Sequence, residues 1–214
     1  MGFDLLAERF AGVVTSHEDL SIGSKGPSDA AANKVIDHLD EHCVKFIGAA
    51  PFVVLGTHSR RGWMDVSPKG DPAGFVGILD KTTLAIPDRL GNNRHDTLHN
   101  LIDDPALGLI FLVPDRTETL RVSGRARIVR DEALCQSMAM NGKAPKLAIV
   151  VAVERVLYHC GKCMIRSNLW KPELWPDITQ LSSLAAAVRD HARLASSLPE
   201  LELYIDENYR TELY

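Results

Sequence analysis

Apolar residues along this chain recur with two different periods, and the change falls near Pro51. Before Pro51 the spacing is helical. FDLLAERFAGVV, residues 3–14, predicts a short amphipathic helix. Gly23, Gly26 and Pro27 gather in a predicted loop, with Ser28 placed to cap the next helix. Val35, Ile36, Leu39, Cys43, Phe46 and Ile47 step by three and four residues, which predicts a helix over 29–48 with one buried face.

After Pro51 the runs shorten and become rich in Val, Ile, Phe and Thr. PFVVLGT, WMDVSP, GFVGI and TTLAI are punctuated by Gly, Pro and Asp, as strands are. LGLIFLV, 107–113, is continuously apolar and predicts a strand buried on both faces. TLRVSGRARIV, 119–129, alternates: Leu120, Val122, Ala126 and Ile128 share one face, Arg121, Ser123, Arg125 and Arg127 the other. LAIVVAVERV, 147–156, adds a further strand. Short strands at this spacing predict a closed or nearly closed antiparallel barrel. Helices are predicted around 94–104, at 131–140, over 178–196, and from Pro199 onward with that proline in the first turn. The chain thus reads as mainly β with flanking helices: N-terminal helices over 1–50, a barrel over 51–170 and a helical tail over 171–214.

Composition narrows the function classes. The 214 residues are 45% hydrophobic and 24% charged, ordinary for a globular protein, so a core is expected. A net charge of −4 argues against binding nucleic acid by phosphate neutralisation. MGFDLLAERF lacks the basic-then-apolar order of a secretory signal, and no apolar run is long enough to span a membrane, so a cytoplasmic location is expected by elimination. Cys43, Cys135, Cys160 and Cys163 are too few for a disulfide scaffold. The pair in HCGKC has no second CxxC or HxxxH to complete a zinc site, and is read as a turn.

One stretch concentrates hydrogen-bond donors: PDRLGNNRHDTLHNLIDDP, residues 87–105. Leu98, Leu101 and Ile102 predict a helix from about Arg94 to Asp104 with one face packed, ended by Pro105. Asn92, Asn93 or Asp96 is placed to cap it. A helix start offers unpaired N–H groups, Arg89 and Arg94 add forked cations, and Thr97 adds a hydroxyl. This is the composition of a phosphate site, although helix caps alone explain half of its polar residues and surface arginines are common. The arginine face of 119–129 strengthens the reading, because two basic clusters in an acidic chain suit a phosphorylated small ligand. Two rival phosphate motifs fail. NGKAPK, 141–146, lacks the glycine and hydroxyl of a P-loop, and no GxGxxG follows a strand.

The order WMDVSPKGD, then IPDRLGNNRHDTLHNLIDDPALGLIFLV, then TLRVSGRARIV resembles the split-barrel flavoproteins related to pyridoxamine 5′-phosphate oxidase, best over residues 50–130. YHCGKCMIRSNLW, 158–170, resembles the C-terminal signature of a subgroup described as FMN-dependent enzymes of that class. The resemblance implies a six-stranded antiparallel split β-barrel, a homodimer, and FMN at the subunit interface. It implies that Val66, Ser67, Pro68 and Lys69 lie along the flavin ring. Arg89, Asn92, Arg94 and Thr97 surround its phosphate, with Arg121 approaching from the next strand. Arg166 and Trp170 come from the other subunit and cover the flavin. The sequence departs from the true oxidases in two places. Asp96 and Thr97 stand where a second phosphate-loop cation is usual, and the Arg-Leu-His-Asp-Arg substrate segment is absent, which puts vitamin B6 chemistry in doubt.

An FMN-dependent oxidoreductase acting on a small molecule is therefore expected, with the redox chemistry carried by the flavin. No nucleophilic triad is supported by spacing. His95, His99 and His159 are candidate proton donors that only geometry can promote. Two alternatives are a flavin- or haem-binding carrier on the same fold, and a dimeric interaction module whose basic pocket holds another phosphate.

Overall fold

Every β-rich run after Pro51 becomes a strand in the computed structural model, which describes residues 5–214. They are β1 (Phe52–His58), β2 (Met64–Gly70), β3 (Gly77–Asp80), β4 (Thr83–Pro87), β5 (Ala106–Leu112), β6 (Thr119–Val129) and β7 (Ala148–His159). All pair antiparallel in one sheet, in the order β2-β1-β5-β6-β7-β4-β3. The expectation of a six-stranded barrel is corrected on both counts. The count of six came from the resemblance; all seven runs read from the sequence are strands, and β3 and β4 are joined by a turn in which the Asp80 carboxylate accepts from the Thr82 N–H at 2.7 Å and its hydroxyl at 3.0 Å. Closure needs hydrogen bonds between the edges β2 and β3, and among the described residues there are none.

The alternation read in β6 holds. Leu120, Val122 and Ala126 are buried while Arg121, Arg125 and Arg127 are exposed. In β5, Leu107, Leu109 and Phe111 are buried and the residues between them half-covered, so that strand is fully buried on one face only. The longest pairing is β6 with β7. It carries a bulge where the register slips between Ser123 and Gly124, passing over Glu154. Core residues from β1, β4, β5, β6 and β7 form one cluster with Leu39, Cys43, Phe46 and Ile47. Each such side chain contributes roughly 1.5–3 kcal/mol on burial.

The chain divides into two compact units, Met1–Lys34 and Val35–Tyr214. The first holds α1 (Leu5–Arg9), α2 (His17–Ser21) and α3 (Asp29–Asn33); residues 3 and 4 of the helix predicted over 3–14 lie outside the described residues. The helix predicted over 29–48 is instead α3 and α4 (Glu41–Ala49), separated by an extended segment. Ile36 exchanges both main-chain hydrogen bonds with Val156 of β7, and the Asp40 carboxylate accepts from Cys43 N–H at 2.9 Å, starting α4 afresh. Later come α5 (Asp96–Asp103), α6 (Glu132–Ser137), α7 (Lys162–Ser167), α8 (Leu184–Ala192) and α9 (Leu198–Thr211). The helix predicted over 178–196 shortens to α8. Asp177 holds the Thr179 N–H in a local turn, Ser183 caps the start, and Arg193 leaves the helix at φ 53°.

HCGKC is not a turn: Cys160 follows β7, and Cys163 lies in α7. Gly161 between them passes so close to Thr117 that a Cβ there would stand 2.6 Å from its side chain. Cys160 and Cys163 are exposed, whereas Cys43 and Cys135 are buried. Burial, aided by the neighbouring Asp40, pushes the Cys43 thiol up to about 12, and burial also raises Cys135. Thiolate is the reactive form. Ellman's reagent at pH 8 should therefore titrate two thiols in the native protein and four in guanidinium; a third native thiol would contradict the placement of Cys43 and Cys135.

Candidate functional site

A cleft of about 700 Å³ lies between β2, the segment joining β4 to α5, and the turn after α6. It is within the usual range for small-ligand sites, about 300–1,000 Å³. Val66, Ser67, Pro68 and Lys69 line it from β2; Arg89, Asn92, Arg94 and Thr97 line it from the segment leading into α5. Arg121, Arg166 and Trp170 do not. Arg121 is exposed on β6, three places from β2 in the strand order. Arg166 is exposed on α7, and the Trp170 indole donates to the Arg116 carbonyl at 2.8 Å.

The strand β2 alternates in the reverse sense for a strand on a core. Asp65, Ser67 and Lys69 are half-buried, while Met64, Val66 and Pro68 are exposed. The polar side is held by Asn100 of α5, which is buried and donates to the Thr57 hydroxyl at 3.1 Å and to the Asp65 carboxylate. Leu98 and Leu101 anchor α5 to the core as expected, but Ile102 is 69% exposed. Thr97 and Asn100 take up the remaining buried positions.

The start of α5 differs from its prediction. None of Asn92, Asn93 or Asp96 is the N-cap. That place belongs to His95, in the left-handed region at φ 57°, and its side chain makes no capping hydrogen bond. Asn92 instead accepts from the Arg94 N–H at 3.1 Å. By contrast Asp40, Asp131 and Ser183 cap α4, α6 and α8 with their side chains. Among the described residues, the first-turn N–H groups of α5 are thus without a side-chain acceptor where they meet the cleft. His95 lines the cleft; His99 and His159 do not.

Most cations of the cleft have carboxylate partners. Arg94 Nε donates to Asp96 at 2.6 Å, and that hydrogen bond holds the guanidinium above its ordinary range. Lys69 stands 3.9 Å from Asp88. Arg89 is the most enclosed: Nε donates to Asp71 at 2.7 Å, and Nη2 to the Met138 carbonyl at 2.8 Å. Lys143 donates to the Tyr214 main-chain oxygen at 2.7 Å, and Lys146 has no ion pair among the described residues. The sequence reading missed Asp65, Lys143, Lys146 and Tyr214. NGKAPK, correctly rejected as a P-loop, forms a tight hairpin turn. Asn141 and Gly142 lie at φ 52° and 75°, and Met140 and Lys143 exchange main-chain bonds. The Asn-Gly pair could have signalled that turn; nothing local could have placed it at the cleft.

A model of the pyridoxamine 5′-phosphate oxidase family matches residues 39–160, more than half of the chain. The chain belongs to this family. The matched span contains the sheet and most of the cleft, including β2 and α5. Among solved structures, HupZ of Group A Streptococcus is similar at 18% identity, over 56% of this chain and 92% of that one, with a TM-score of 0.47. A Clostridium acetobutylicum protein related to general stress protein 26 is similar at 15% identity, over 56% and 86%, with a TM-score of 0.41. A comparison with curated proteins finds no match. Among the described residues, no helix is long and apolar enough to cross a membrane.

Proposed function

We propose that this family member is an FMN-dependent oxidoreductase acting on a small molecule, working as a homodimer with the flavin at the subunit interface. The observation that carries the reading is the start of α5: an N-terminus without a side-chain cap, facing the cleft beside Arg94 and Thr97. That donor set fits a phosphate monoester, combining main-chain N–H groups, a forked guanidinium and a hydroxyl. The terminal nitrogens of Arg94 have no hydrogen-bond partner among the described residues, so they are available to an incoming anion. The absence of a second, glycine-rich pyrophosphate loop favours FMN over FAD.

Bound FMN supplies hydride or electron transfer. The chain's own residues bind, orient and shield. Asn100 fixes Asp65 at one end of β2, Ser67 and Lys69 present donors from its half-buried side, and Val66 and Pro68 offer an apolar wall. Dimerisation is supported by the exposed apolar side of β2, an edge strand carrying Met64 and Val66, which calls for cover. In that assembly Arg166 and Trp170, which do not reach the cleft of their own chain, serve the site of the second copy. Light scattering should give twice the 23.6 kDa chain mass.

The test is Arg94→Ala. Loss of a charge-assisted contact should cost about 1.5–3 kcal/mol, roughly a ten- to hundred-fold loss of FMN affinity by fluorescence quenching. Riboflavin, which lacks the phosphate, should bind the variant as it binds the wild type. An equal loss for riboflavin would remove Arg94 from the phosphate site. Reoxidation of the NADPH-reduced protein by small acceptors then separates an enzyme from a carrier.

A further inference from the structure

Tyr214 sits in the cleft on three anchors that resemble the contacts of a ligand. Its hydroxyl donates to Asp71 Oδ1 at 2.6 Å, and that hydrogen bond raises the phenol above its ordinary range, keeping it protonated. Its ring lies 5.7 Å from the Arg89 guanidinium carbon, in the position of a cation–π contact. Its main-chain oxygen accepts from Lys143 Nζ at 2.7 Å. Lys146 lines the same wall. The turn that presents both lysines is tight: Asn141 and Gly142 form a two-residue hairpin, and Pro145, between the lysines, is buried.

Charge points to what this wall accepts. The cations at the start of α5 and on β2 face carboxylates of their own, as Arg94 does Asp96 and Lys69 does Asp88. Among the described residues neither Lys143 nor Lys146 is paired with an Asp or Glu side chain; Lys143 Nζ donates to the Tyr214 oxygen. Two lysines on one wall without an Asp or Glu partner suit an anion, as the free terminal nitrogens of Arg94 do. Flatness and polarity are set by Tyr214 itself: an aromatic ring under a guanidinium, a hydroxyl donor at one end, an acceptor oxygen at the other.

We propose that Lys143, Lys146, Arg89 and Asp71 form a second subsite in the cleft for a hydroxyaromatic carboxylate, and that Tyr214 occupies this subsite as an internal competitor. The carboxylate meets Lys143 and Lys146, the ring lies against Arg89, and the hydroxyl donates to Asp71. In calling this ligand the substrate, the proposal rests on the flavin reading; the subsite itself does not. An internal competitor lowers apparent affinity by the fraction of time it vacates the site.

The probe is 3-(4-hydroxyphenyl)propionate, the tyrosine skeleton without its amino group, with the neutral propionamide as control. Calorimetry is run on the full chain, with and without FMN. Tyr214→Ala should bind the acid at least about fivefold more tightly than the wild type, because the competitor is gone. In that background the acid should be preferred over the amide by about tenfold, the scale of one charge-assisted contact. Lys143→Gln with Lys146→Gln should abolish the preference, while Arg127→Gln, which alters an exposed β6 cation, should not. Equal binding by wild type and Tyr214→Ala, weaker binding by the variant, equal binding of acid and amide, or no binding at all each overturns the proposal. FMN quenching on the same samples keeps the two readings apart. Intact FMN binding with no probe binding sinks the subsite alone, and probe binding without FMN binding sinks the flavin reading alone.

Discussion

Gly124→Ala should force β6 and β7 apart and destabilise the fold severely. A Cβ at this position would stand 2.0 Å from the Ala152 carbonyl oxygen, 3.0 Å from its carbon and 3.3 Å from the Glu154 nitrogen. All three are main-chain atoms of β7, so no side-chain rotation relieves the overlap. The contact arises at the bulge, where β7 carries an extra residue toward β6. Relief means separating the longest strand pair, on which Leu120, Val122, Val151 and Val156 of the core depend. The cost should exceed about 4 kcal/mol, in the range where single substitutions unfold proteins of marginal stability. For a chain of this size that lowers the melting temperature by roughly 10 °C or more. Gly108→Ala is the control, since a Cβ on that β5 glycine meets nothing within 4 Å. A Gly124→Ala protein melting within about 3 °C of the wild type would mean the bulge is not built as described.

That glycine also marks the reach of sequence reasoning. The period of two in TLRVSGRARIV correctly divided β6 into an apolar and an arginine face, because each side chain's environment follows from strand geometry alone. The close approach at Gly124 depends on a residue of β7 outside its own strand, and period carries no such information. The start of α3 was legible at its Ser28 cap; those of α4 and α8 were missed although Asp40 and Ser183 cap them, and α5 has no side-chain cap among the described residues. The α5 segment of the cleft was readable because it is a local run rich in donors, whereas the β2 wall came only from the family resemblance. Asp65 was missed because its significance lies in Asn100, 35 residues away, and Tyr214 because its partner Asp71 is 143 residues away. Ile102 was misplaced for a related reason. A helix period marks a face, but the polar pairing of Asn100 turned that face away from the all-apolar choice.

Arg89→Met should destabilise the fold by about 3–5 kcal/mol, more than it weakens any ligand. The Asp71 side chain is 1% exposed and that of Arg89 15%, so the carboxylate is buried and its partner largely covered. The guanidinium fork satisfies two acceptors at once, Asp71 at 2.7 Å and the Met138 carbonyl at 2.8 Å, tying the end of β2 to the end of α6. Methionine fills similar volume but leaves the carboxylate with the Tyr214 hydroxyl as its only remaining side-chain hydrogen-bond donor among the described residues. The loss is therefore that of an uncompensated buried charge. If so, Asp71→Asn should be less harmful in the Arg89→Met background than alone, because the carboxylate is then no longer stranded. Arg89→Lys should recover only part of the stability, since one ammonium does not reproduce a fork directed at two acceptors. Urea unfolding of the four members of the Arg89/Asp71 cycle gives the coupling directly. A coupling below about 0.5 kcal/mol, or an Arg89→Met protein as stable as the wild type, would remove Arg89 from the scaffold. The expected result assigns the two arginines different work: Arg94, exposed and free at its terminal nitrogens, meets the anion, and Arg89 holds the wall against which it binds.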